Sequence, residues 1–503
     1  MFLLPTWSLG IFELPSLVQR AGARTSLSVI NGLLLGPVNC DRSTDYRMDS
    51  DRRSHFLHSL IIALLLCFGA MPLAHAATFT VSKTADTNDG TCDADCSLRE
   101  AIVAANATGG PHTIAFSVPP ADPGFIGGVA VFSVTSDLPP ITRNNVTLDG
   151  TTQTTNRGNT NPVTLGAGGT VGVDALTLPQ VAGPEVEIRD GAAGLIGIQI
   201  QANNVTVRGV AILGFGAGDN EGAIIVDNDF TGTLIEDNVL GATATSFTDP
   251  GIALRNYVGV ESVGGDSGTI RDNLIGFNHR GVFLTSASTG WDVEGNEIRD
   301  HELDSTDGDG IAIVDSTVNT ITGNLIVGSS SQGFVVTTSS SIDFINNTVT
   351  GNGVGTSTAV AQSAGITMRS TASASTLDRN VVNANFGAGI QVNNGATGIL
   401  LTQNSFSDNG TIVARDLSPA TGQIGIDLNA AGDDSNFGTA PFITINDAGD
   451  VDSGGNDLLN FAILDTATVS GGNLTLTGWS QPGATIELFI ADGDAGNFGE
   501  GET

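Results

Sequence analysis

A short pattern of two parts recurs along most of this chain and restricts its fold more than any single residue does. One part is Gly followed by an apolar, a variable and an apolar residue; the other is an Asn with an apolar residue three positions before it. The spacing from Gly to the next Asn is 14 or 15 residues in five units and 22 in the first, whereas Asn to the next Gly varies from 8 to 18. The Gly part begins at Gly251, Gly281, Gly310, Gly333, Gly365 and Gly389. One half of the repeat is nearly fixed and the other accepts insertions, which is typical of a coil of short strands.

The length of the unit and its polarity pattern predict which coil forms. The shortest units span 23 residues, as from Asn273 to Asn296, which is too short for a helix pair or a propeller blade. Apolar and polar residues alternate in each piece, so each piece is a short strand with one buried face. We therefore predict an all-β fold, a right-handed parallel β-helix over residues 113–445, with Gly425 opening its last unit.

The repeated Asn has two explanations. Asn enters left-handed backbone more readily than other non-Gly residues, and its amide can donate and accept along a stack of like residues. A ladder of inward-facing Asn residues at one corner of the coil would use both properties, the left-handed backbone and the hydrogen bonds between stacked amides. The alternative is a row of solvated turn residues. We favour the ladder, because seven residues keep the register: Asn238, Asn273, Asn296, Asn324, Asn347, Asn380 and Asn404.

Composition restricts the partners. The chain has 503 residues, a formal net charge of −34 and a single lysine, Lys83. A surface of this sign repels nucleic acid and anionic membranes, and disfavours anionic glycans unless a cation bridges them. Nucleic acid is therefore excluded as a partner.

The beginning of the chain predicts export. Arg52 and Arg53 precede an apolar run, and Ala74-His-Ala76 follows, which is the layout of a secretory signal peptide over residues 48–76. Residues 1–47 then read as an over-extended gene start. The apolar run is short for a membrane span, so we expect no membrane-spanning segment in the mature chain. In an exported protein, Cys92 and Cys96 are expected to form a disulfide.

Residues 77–112 read as an N-terminal cap. A strand begins at Thr78, and Ser97 and Glu100 have the spacing of a capping box at the start of an amphipathic helix. Cys96-Ser-Leu-Arg-Glu-Ala-Ile resembles the CSLREA domain of secreted and surface β-helix proteins of bacteria. The resemblance implies a secreted or cell-surface location and the same fold, but no particular activity.

The last segment, residues 446–503, predicts a turn and a second domain. Five Asp or Asn side chains occur close together, with Gly residues between them. Their oxygen atoms are the hard ligands that Ca²⁺ prefers, so we predict a Ca²⁺ site; the alternative is a polar turn between domains. The five are Asp447, Asp450, Asp452, Asn456 and Asp457. Alternation over residues 473–490 predicts the start of an Ig-like β-sandwich, truncated at Thr503.

The insertion between Asn296 and Gly310 is the best place for catalysis. This loop contains several acidic residues and a histidine, and it would border a groove on the coil. His279 and Arg280 lie in the preceding loop, one rung away. A solvated or Ca²⁺-binding loop is the alternative. The candidate catalytic residues are Asp300, His301, Asp304, Asp307 and Asp309.

Two functions of different classes follow. The first is a secreted or surface β-helix that binds a polysaccharide or another surface protein without chemistry. The second is a carbohydrate-active enzyme, a lyase or hydrolase, whose paired carboxylates would face each other across the groove.

Overall fold

A computed structural model describes residues 76–302, 308–355 and 364–491, and the backbone of residues 501–502. Its chain passes repeatedly through three parallel sheets, so that successive strands of one sheet come from successive turns of a coil. The protein is therefore a right-handed parallel β-helix, as the repeat predicts.

Sheet 1 contains eleven strands in the described residues, in chain order. They are Ala77–Val81, His112–Phe116, Val146–Asp149, Thr206–Arg208, Leu234–Glu236, Thr269–Arg271, Asp292–Glu294, Thr317–Thr322, Ser340–Ile345, Thr376–Asp378 and Leu400–Thr402.

Sheets 2 and 3 are built in the same way, except that the first strand of sheet 2, Phe125–Ile126, is antiparallel to the second. The strands of sheet 2 are Phe125–Ile126, Val129–Val134, Val186–Asp190, Ala211–Leu213, Val239–Leu240, Leu274–Gly276, Glu297–Arg299, Leu325–Val327, Thr348–Thr350, Val381–Asn383 and Ser405–Ser407. Those of sheet 3 are Ile198–Ile200, Ile224–Val226, Val258–Val263, Arg280–Thr285, Ile311–Val314, Phe334–Thr337, Ile366–Arg369, Ile390–Val392 and Ile426–Leu428.

The core is a set of apolar columns. In sheet 1, Ile270, Val293 and Ile321 occupy one register position on successive rungs, and all three are fully buried. Phe334 of sheet 3 stacks on Phe344 of sheet 1 across the interior, with ring centroids 4.2 Å apart. Each rung therefore buries its apolar face against the rungs above and below, as expected of a solenoid.

The repeated Gly is explained by the approach of the next rung. A Cβ atom on Gly310 would lie 2.5 Å from the carbonyl oxygen of Gly333, and one on Gly389 would lie 2.6 Å from that of Gly425. No side chain fits at such a distance. The Gly half of the repeat thus marks where two rungs meet backbone to backbone.

The seven Asn residues do form a buried ladder, at the corner between sheets 1 and 2. Asn273 donates through Nδ2 to Oδ1 of Asn296 at 3.0 Å, and Asn296 to Asn324 in the same way. The left-handed residue at this corner is the one before each Asn, for example Asp272 with φ 55°. The expectation that the Asn itself is left-handed was wrong, because its amide is held by the ladder while its neighbour makes the turn.

One unit of the predicted repeat was also wrong. Residues Ile252–Leu254 form a short 3₁₀ helix, and Ile252 is 73% exposed. The rung begins instead at Gly259, whose neighbour Val260 pairs with Val282 of the next strand. Gly259 is 14 residues before Asn273, so the irregular spacing of 22 disappears.

The N-terminal segment closes the first rung. Helix α1, Leu98–Ala107, begins with a complete capping box between Ser97 and Glu100, and a disulfide links Cys92 to Cys96. Ile102 and Ala105 of α1 pack in the main core. Sheet 1 already begins at Ala77–Val81, so this segment contributes a strand as well as a lid.

Residues 158–185 form a strap that the repeat does not predict. After helix α2, Thr151–Arg157, the strap runs along the outside of the coil with two short strand pairs, Thr164–Leu165 with Val181–Ala182 and Thr170–Val171 with Leu176–Thr177. It reaches several rungs, since the N–H of Val173 donates to the carbonyl of Arg379 at 2.9 Å.

The last described residues leave the coil. A turn of 3₁₀ helix, Gly455–Leu458, is followed by an antiparallel hairpin, Ile463–Ser470 with Asn473–Trp479, whose side chains are nearly all exposed. Ile490–Ala491 pairs with Gly501–Glu502. The Ig-like domain stays a prediction.

Nowhere in the described part of the chain is there a helix of the length and hydrophobicity that crossing a bilayer requires.

Candidate functional site

A group of titratable and aromatic side chains gathers on the outer side of sheet 3, which we call the central cluster. Its members come from four chain segments on neighbouring rungs, and they lie at the strands of sheet 3 or in the turns that enter it. The central cluster consists of Asp219, Tyr257, Glu261, His279, Arg280 and Glu302.

Glu261 is the most unusual member. Val260 beside it points into the core, so by alternation Glu261 points outward, yet it is only 1% exposed. The backbone N–H of Asn220 donates to its Oε2 at 2.9 Å. Burial raises the pKa of Glu261 to about 7, and the negative charges of Asp219 and Asp227 act in the same direction. The carboxyl therefore exchanges a proton near neutral pH.

His279 and Glu302 form a pair between rungs. The Nδ1 atom of His279 lies 2.5 Å from Oε2 of Glu302, and both side chains are about one-fifth exposed. Tyr257 stacks on the imidazole, with ring centroids 4.5 Å apart. The stack and the pair together fix the orientation of the ring at the rim of the sheet.

Arg280 joins the pair to the preceding rungs. Its Nη1 donates to Oδ1 of Asp219 at 3.1 Å, and its guanidinium lies 4.9 Å from the ring centroid of Phe283. Asp219 remains 60% exposed at its side chain. The cluster thus offers one guanidinium, the carboxylates of Asp219 and Glu302, and the stacked rings of Tyr257 and His279 to the outside of the sheet.

The structure separates the predicted catalytic residues. Asp300 is held in ion pairs with Arg299 and Arg415, at 2.8 and 3.0 Å. Asp309 adjoins sheet 3, where its carbonyl accepts from the N–H of Gly281. Asp304 and Asp307 lie outside the described residues. The insertion contributes Glu302 to the central cluster, and His279 and Arg280 lie one rung away as predicted.

His301 belongs to the wall of the coil. It follows Asn296 by five residues, and at the same offset four buried Asn residues lie between sheets 2 and 3. Asn352, Asn385 and Asn409 form a second ladder there, and Asn278 bonds to Asn256 on the rung before it. The ring is fully buried, and burial lowers the pKa of His301 to about 3. It is therefore neutral at neutral pH and has no contact with solvent.

Glu261 was missed by sequence reasoning. Its rung reads Gly259-Val-Glu-Ser, with Ser262 where an apolar residue is usual, so the better match at Gly251 hid it. Ser262 fills that inward position through a contact with Ser288, whose Oγ lies 2.9 Å away. The distance of 14 residues from Gly259 to Asn273 could have identified the rung.

The five predicted Ca²⁺ ligands divide into two groups. Oxygens of Asp447, Asp450 and Asp452 lie within 4.8 Å of one another. Asn456 instead binds the end of the coil: its Oδ1 accepts from the N–H of Ile399 at 2.9 Å. Asp457 lies beside it and accepts from Thr397. Calcium binding stays a prediction, which calorimetric titration with Ca²⁺ tests.

Comparison with known proteins gives one family match. The family "Periplasmic copper-binding protein (NosD)" matches residues 197–421, which is less than half of the chain. No curated protein matches. The match covers the regular rungs, including Glu261, His279 and Arg280.

Solved structures resemble the chain at low identity. A crystal structure of pectate lyase Pel9A is 15% identical, covering 69% of this chain and 73% of that one, with a TM-score of 0.36. The A-module of the mannuronan C-5 epimerase AlgE6 of Azotobacter vinelandii is 14% identical, covering 69% and 98%, with a TM-score of 0.31. The Dettilon tailspike protein gp208 is 14% identical, covering 79% and 75%, with a TM-score of 0.33. Sequence identities and TM-scores this low give no information about the activity of this chain.

Copper does not fit the described side chains. Imidazole and sulfur ligands suit copper, whereas carboxylates alone suit harder ions. Within the described residues, the single group of three ligands that could hold a metal is the carboxylate group at Asp447, Asp450 and Asp452. His301 is buried in the coil wall, and Cys92 and Cys96 are joined in a disulfide. The described residues therefore present no ligand set typical of copper.

Proposed function

We propose that this protein is exported and binds a neutral polysaccharide across the outer face of sheet 3, at the central cluster. The observation that carries the proposal is the convergence of Asp219, His279 and Arg280, all partly exposed, from neighbouring rungs onto the face opposite the core. Carboxylates and guanidinium groups bind sugar hydroxyls, while aromatic rings supply apolar contact area. Export is supported by the signal-peptide layout, the CSLREA resemblance and the family match.

Charge favours a neutral ligand. In the central cluster, the carboxylates of Asp219, Glu261 and Glu302 outnumber the one permanent cation, Arg280. The whole chain carries a net charge of −34, which repels polyanions. A polyuronate would meet this repulsion along its whole length, whereas an uncharged glycan would not.

Affinity electrophoresis through gels that contain neutral or acidic polysaccharides tests the proposal. We expect a neutral polysaccharide to retard the purified protein, and the variants Tyr257→Ala and Arg280→Gln to lose the retardation. Arg379→Gln is the matched control, because Arg379 pairs with Asp378 and Asp174 away from sheet 3. Equal retardation of all four proteins would place binding elsewhere, and retardation by polyuronates alone would reject a neutral ligand.

A second function, glycan cleavage, is favoured by one observation. Burial raises the pKa of Glu261 to about 7, so its carboxyl holds a proton near neutral pH, as a general acid must. Because the side chain is 1% exposed, donation to a leaving oxygen would require it to turn toward the surface. New reducing ends or unsaturated sugars formed by the wild type, but not by Glu261→Gln, would establish it. Asp304→Asn and Asp307→Asn test the sequence-based site in the same assay. Glu294→Gln, on an exposed position of sheet 1, is the control.

A further inference from the structure

A cavity that shares no residue with the central cluster lies between the strap, helix α2 and the corner at the end of sheet 1. Its volume is about 500 Å³. The turns that follow three strands of sheet 1 border it at Gly150, Gly209 and Asp237, and the strap borders it at Asn159 and Gln180. The volume lies within the roughly 300–1,000 Å³ that is common for small-molecule sites, so a ligand of the size of a monosaccharide fits.

The two ends of the strap are fixed to each other beside this cavity. The Oε1 atom of the buried Glu185 accepts from the backbone N–H groups of Thr160 and Asn161. The side-chain amide of Asn161 donates to the carbonyls of Pro184 and Ala244, both at 2.8 Å. The cavity therefore has a fixed wall and is a built feature of the fold.

Polar groups on the wall of the cavity retain free hydrogen-bonding capacity. The Nε2 atom of Gln180 donates to the carbonyl of Gly166 at 2.9 Å, which leaves its Oε1 to accept from a ligand. The Oδ1 atom of Asn159 accepts from the N–H of Asn161 at 3.1 Å, which leaves its Nδ2 to donate. No hydrogen bond joins the hydroxyl of Thr154 to a described residue. These groups suit a ligand that carries hydroxyl groups.

Asp237 gives the cavity a negative charge. No hydrogen bond joins its carboxylate to a residue that the structure describes. Partial burial of the carboxylate raises the pKa of Asp237, and the charge of Glu236 acts in the same direction. Among the described residues that line the cavity there is no lysine, arginine or histidine. The wall itself therefore supplies no positive partner for Asp237.

The charges around the cavity do not supply one either. Arg208 and Arg271, whose charges reach Asp237, are both held in ion pairs with other carboxylates. Asp272 occupies the same corner position one rung later, and burial and the charge of Asp237 raise its pKa too. Two carboxylates on adjacent rungs thus repel each other, and a cation in the cavity lessens that repulsion.

The dimensions of the cavity decide which kind of cation fits. A Ca²⁺ ion takes about six to eight oxygen ligands at about 2.3–2.6 Å, whereas this cavity is far larger than one ion. In the described part of the chain, the one group of three acidic side chains that could hold a metal lies elsewhere, at residues 447–452. An ammonium group donates several hydrogen bonds, and its bond to a carboxylate is charge-assisted. The wall therefore selects an organic amine.

We infer that this cavity binds a small hydroxylated amine, such as an amino sugar, whose ammonium group donates to Asp237. Gln180 and Thr154 bind hydroxyl groups of the same ligand. The inference goes beyond the function proposed for the central cluster and does not depend on it.

Saturation-transfer NMR titrations of the purified full chain test this inference. The probes are methyl glucosaminide, methyl glucoside and methyl glucuronide, at a slightly acidic pH at which the amine is protonated. We expect the glucosaminide to bind at least about tenfold more tightly than the glucoside, and the glucuronide to give the weakest signal. Equal affinities for the glucosaminide and the glucoside would overturn the inference, and so would the absence of a glucosaminide signal at millimolar concentration.

Variants locate the bound amine. Asp237→Asn should weaken glucosaminide binding at least about tenfold, the factor expected for one lost charge-assisted hydrogen bond, and should leave the affinity for the glucoside unchanged. Asn tolerates the left-handed backbone of this position, where φ is 55°, so the thermal melt should match that of the wild type. Asp343→Asn is the matched control, because it removes an exposed carboxylate four rungs later on sheet 1.

Two outcomes with these variants would contradict the inference. The first is an equal loss of glucosaminide binding in Asp343→Asn and Asp237→Asn, which would show that only the overall charge of the chain matters. The second is a loss of binding in Asp219→Asn but not in Asp237→Asn, which would place the amine at the central cluster.

Discussion

The side chain of Asn296 donates through Nδ2 to Oδ1 of Asn324 at 3.0 Å, and the backbone N–H of Asn296 donates to the same oxygen at 2.9 Å. Asn324 in turn donates to the carbonyl of Val293 at 2.8 Å. The side-chain amide of Asn324 therefore satisfies two donors and one acceptor of the previous rung. This explains why the Asn recurs while its neighbours vary.

Replacing Asn324 by leucine should destabilise the coil. The substitution leaves the N–H of Asn296 and the carbonyl of Val293 without partners in a buried corner. Each unpaired group costs about 1–3 kcal/mol, so we expect a loss of about 2–5 kcal/mol in the free energy of unfolding. Urea denaturation measures it. Asn473→Leu is the control, because Asn473 is exposed in the hairpin and should change stability by less than about 0.5 kcal/mol.

The corrected rung at Gly259 makes a second prediction. A Cβ atom on Gly259 would lie 2.6 Å from Cγ2 of Ile275 and 2.7 Å from the carbonyl oxygen of Gly281. Gly259→Ala should therefore cost about 1–3 kcal/mol, as overpacking does. In Gly218→Ala the added atom meets nothing within 4 Å, so its thermal melt should match that of the wild type. Equal melts for both variants would contradict the rung assignment.

The architecture could be predicted from the sequence because every rung of a β-helix meets the same packing and hydrogen-bonding requirements. The close approach at Gly310 and the ladder contact at Asn324 recur at nearly constant spacing, and a periodic pattern records them. The strap over residues 158–185 has no such pattern. Its contacts, such as the N–H of Gly172 with Oγ1 of Thr348 at 3.0 Å, join residues far apart in the chain and occur once.

The central cluster was only partly predictable for the same reason. His279 and Glu302 lie in the half of the repeat that accepts insertions, so their spacing does not fix their contact. The sequence predicted that these two residues lie one rung apart, but not that His279 Nδ1 and Glu302 Oε2 are 2.5 Å from each other. It also placed His301 at the surface, because the second Asn ladder that includes this position was not recognised.

The burial of Glu261 predicts the pH dependence of stability. The pKa of Glu261 is raised to about 7 in the folded protein, above its ordinary value of 4.5. Between these two values the folded state holds a proton that the unfolded state has released, so stability falls as pH rises through this interval and levels off above about 7. Asp427, whose pKa burial also raises to about 7, contributes in the same direction.

Glu261→Gln isolates this contribution. At pH 4 both side chains are neutral in the folded protein and Glu261 is mostly protonated in the unfolded chain as well, so the melting temperatures of variant and wild type should be similar. At pH 8 the wild type carries a buried charge, so the variant should melt at the higher temperature. Glu294→Gln, at an exposed position, should show the same small difference at both pH values. A constant difference between Glu261→Gln and wild type would show that Glu261 titrates in the ordinary range.

Binding of a neutral polysaccharide at the central cluster is the claim on which the functional account depends, and calorimetry tests it most directly. A neutral polysaccharide that retards the protein in the gel is titrated into the wild type, Arg280→Gln and Arg379→Gln. We predict binding heat for the wild type and Arg379→Gln, with affinity reduced at least about tenfold in Arg280→Gln. Unchanged affinity in Arg280→Gln, with its fold intact, would contradict the account.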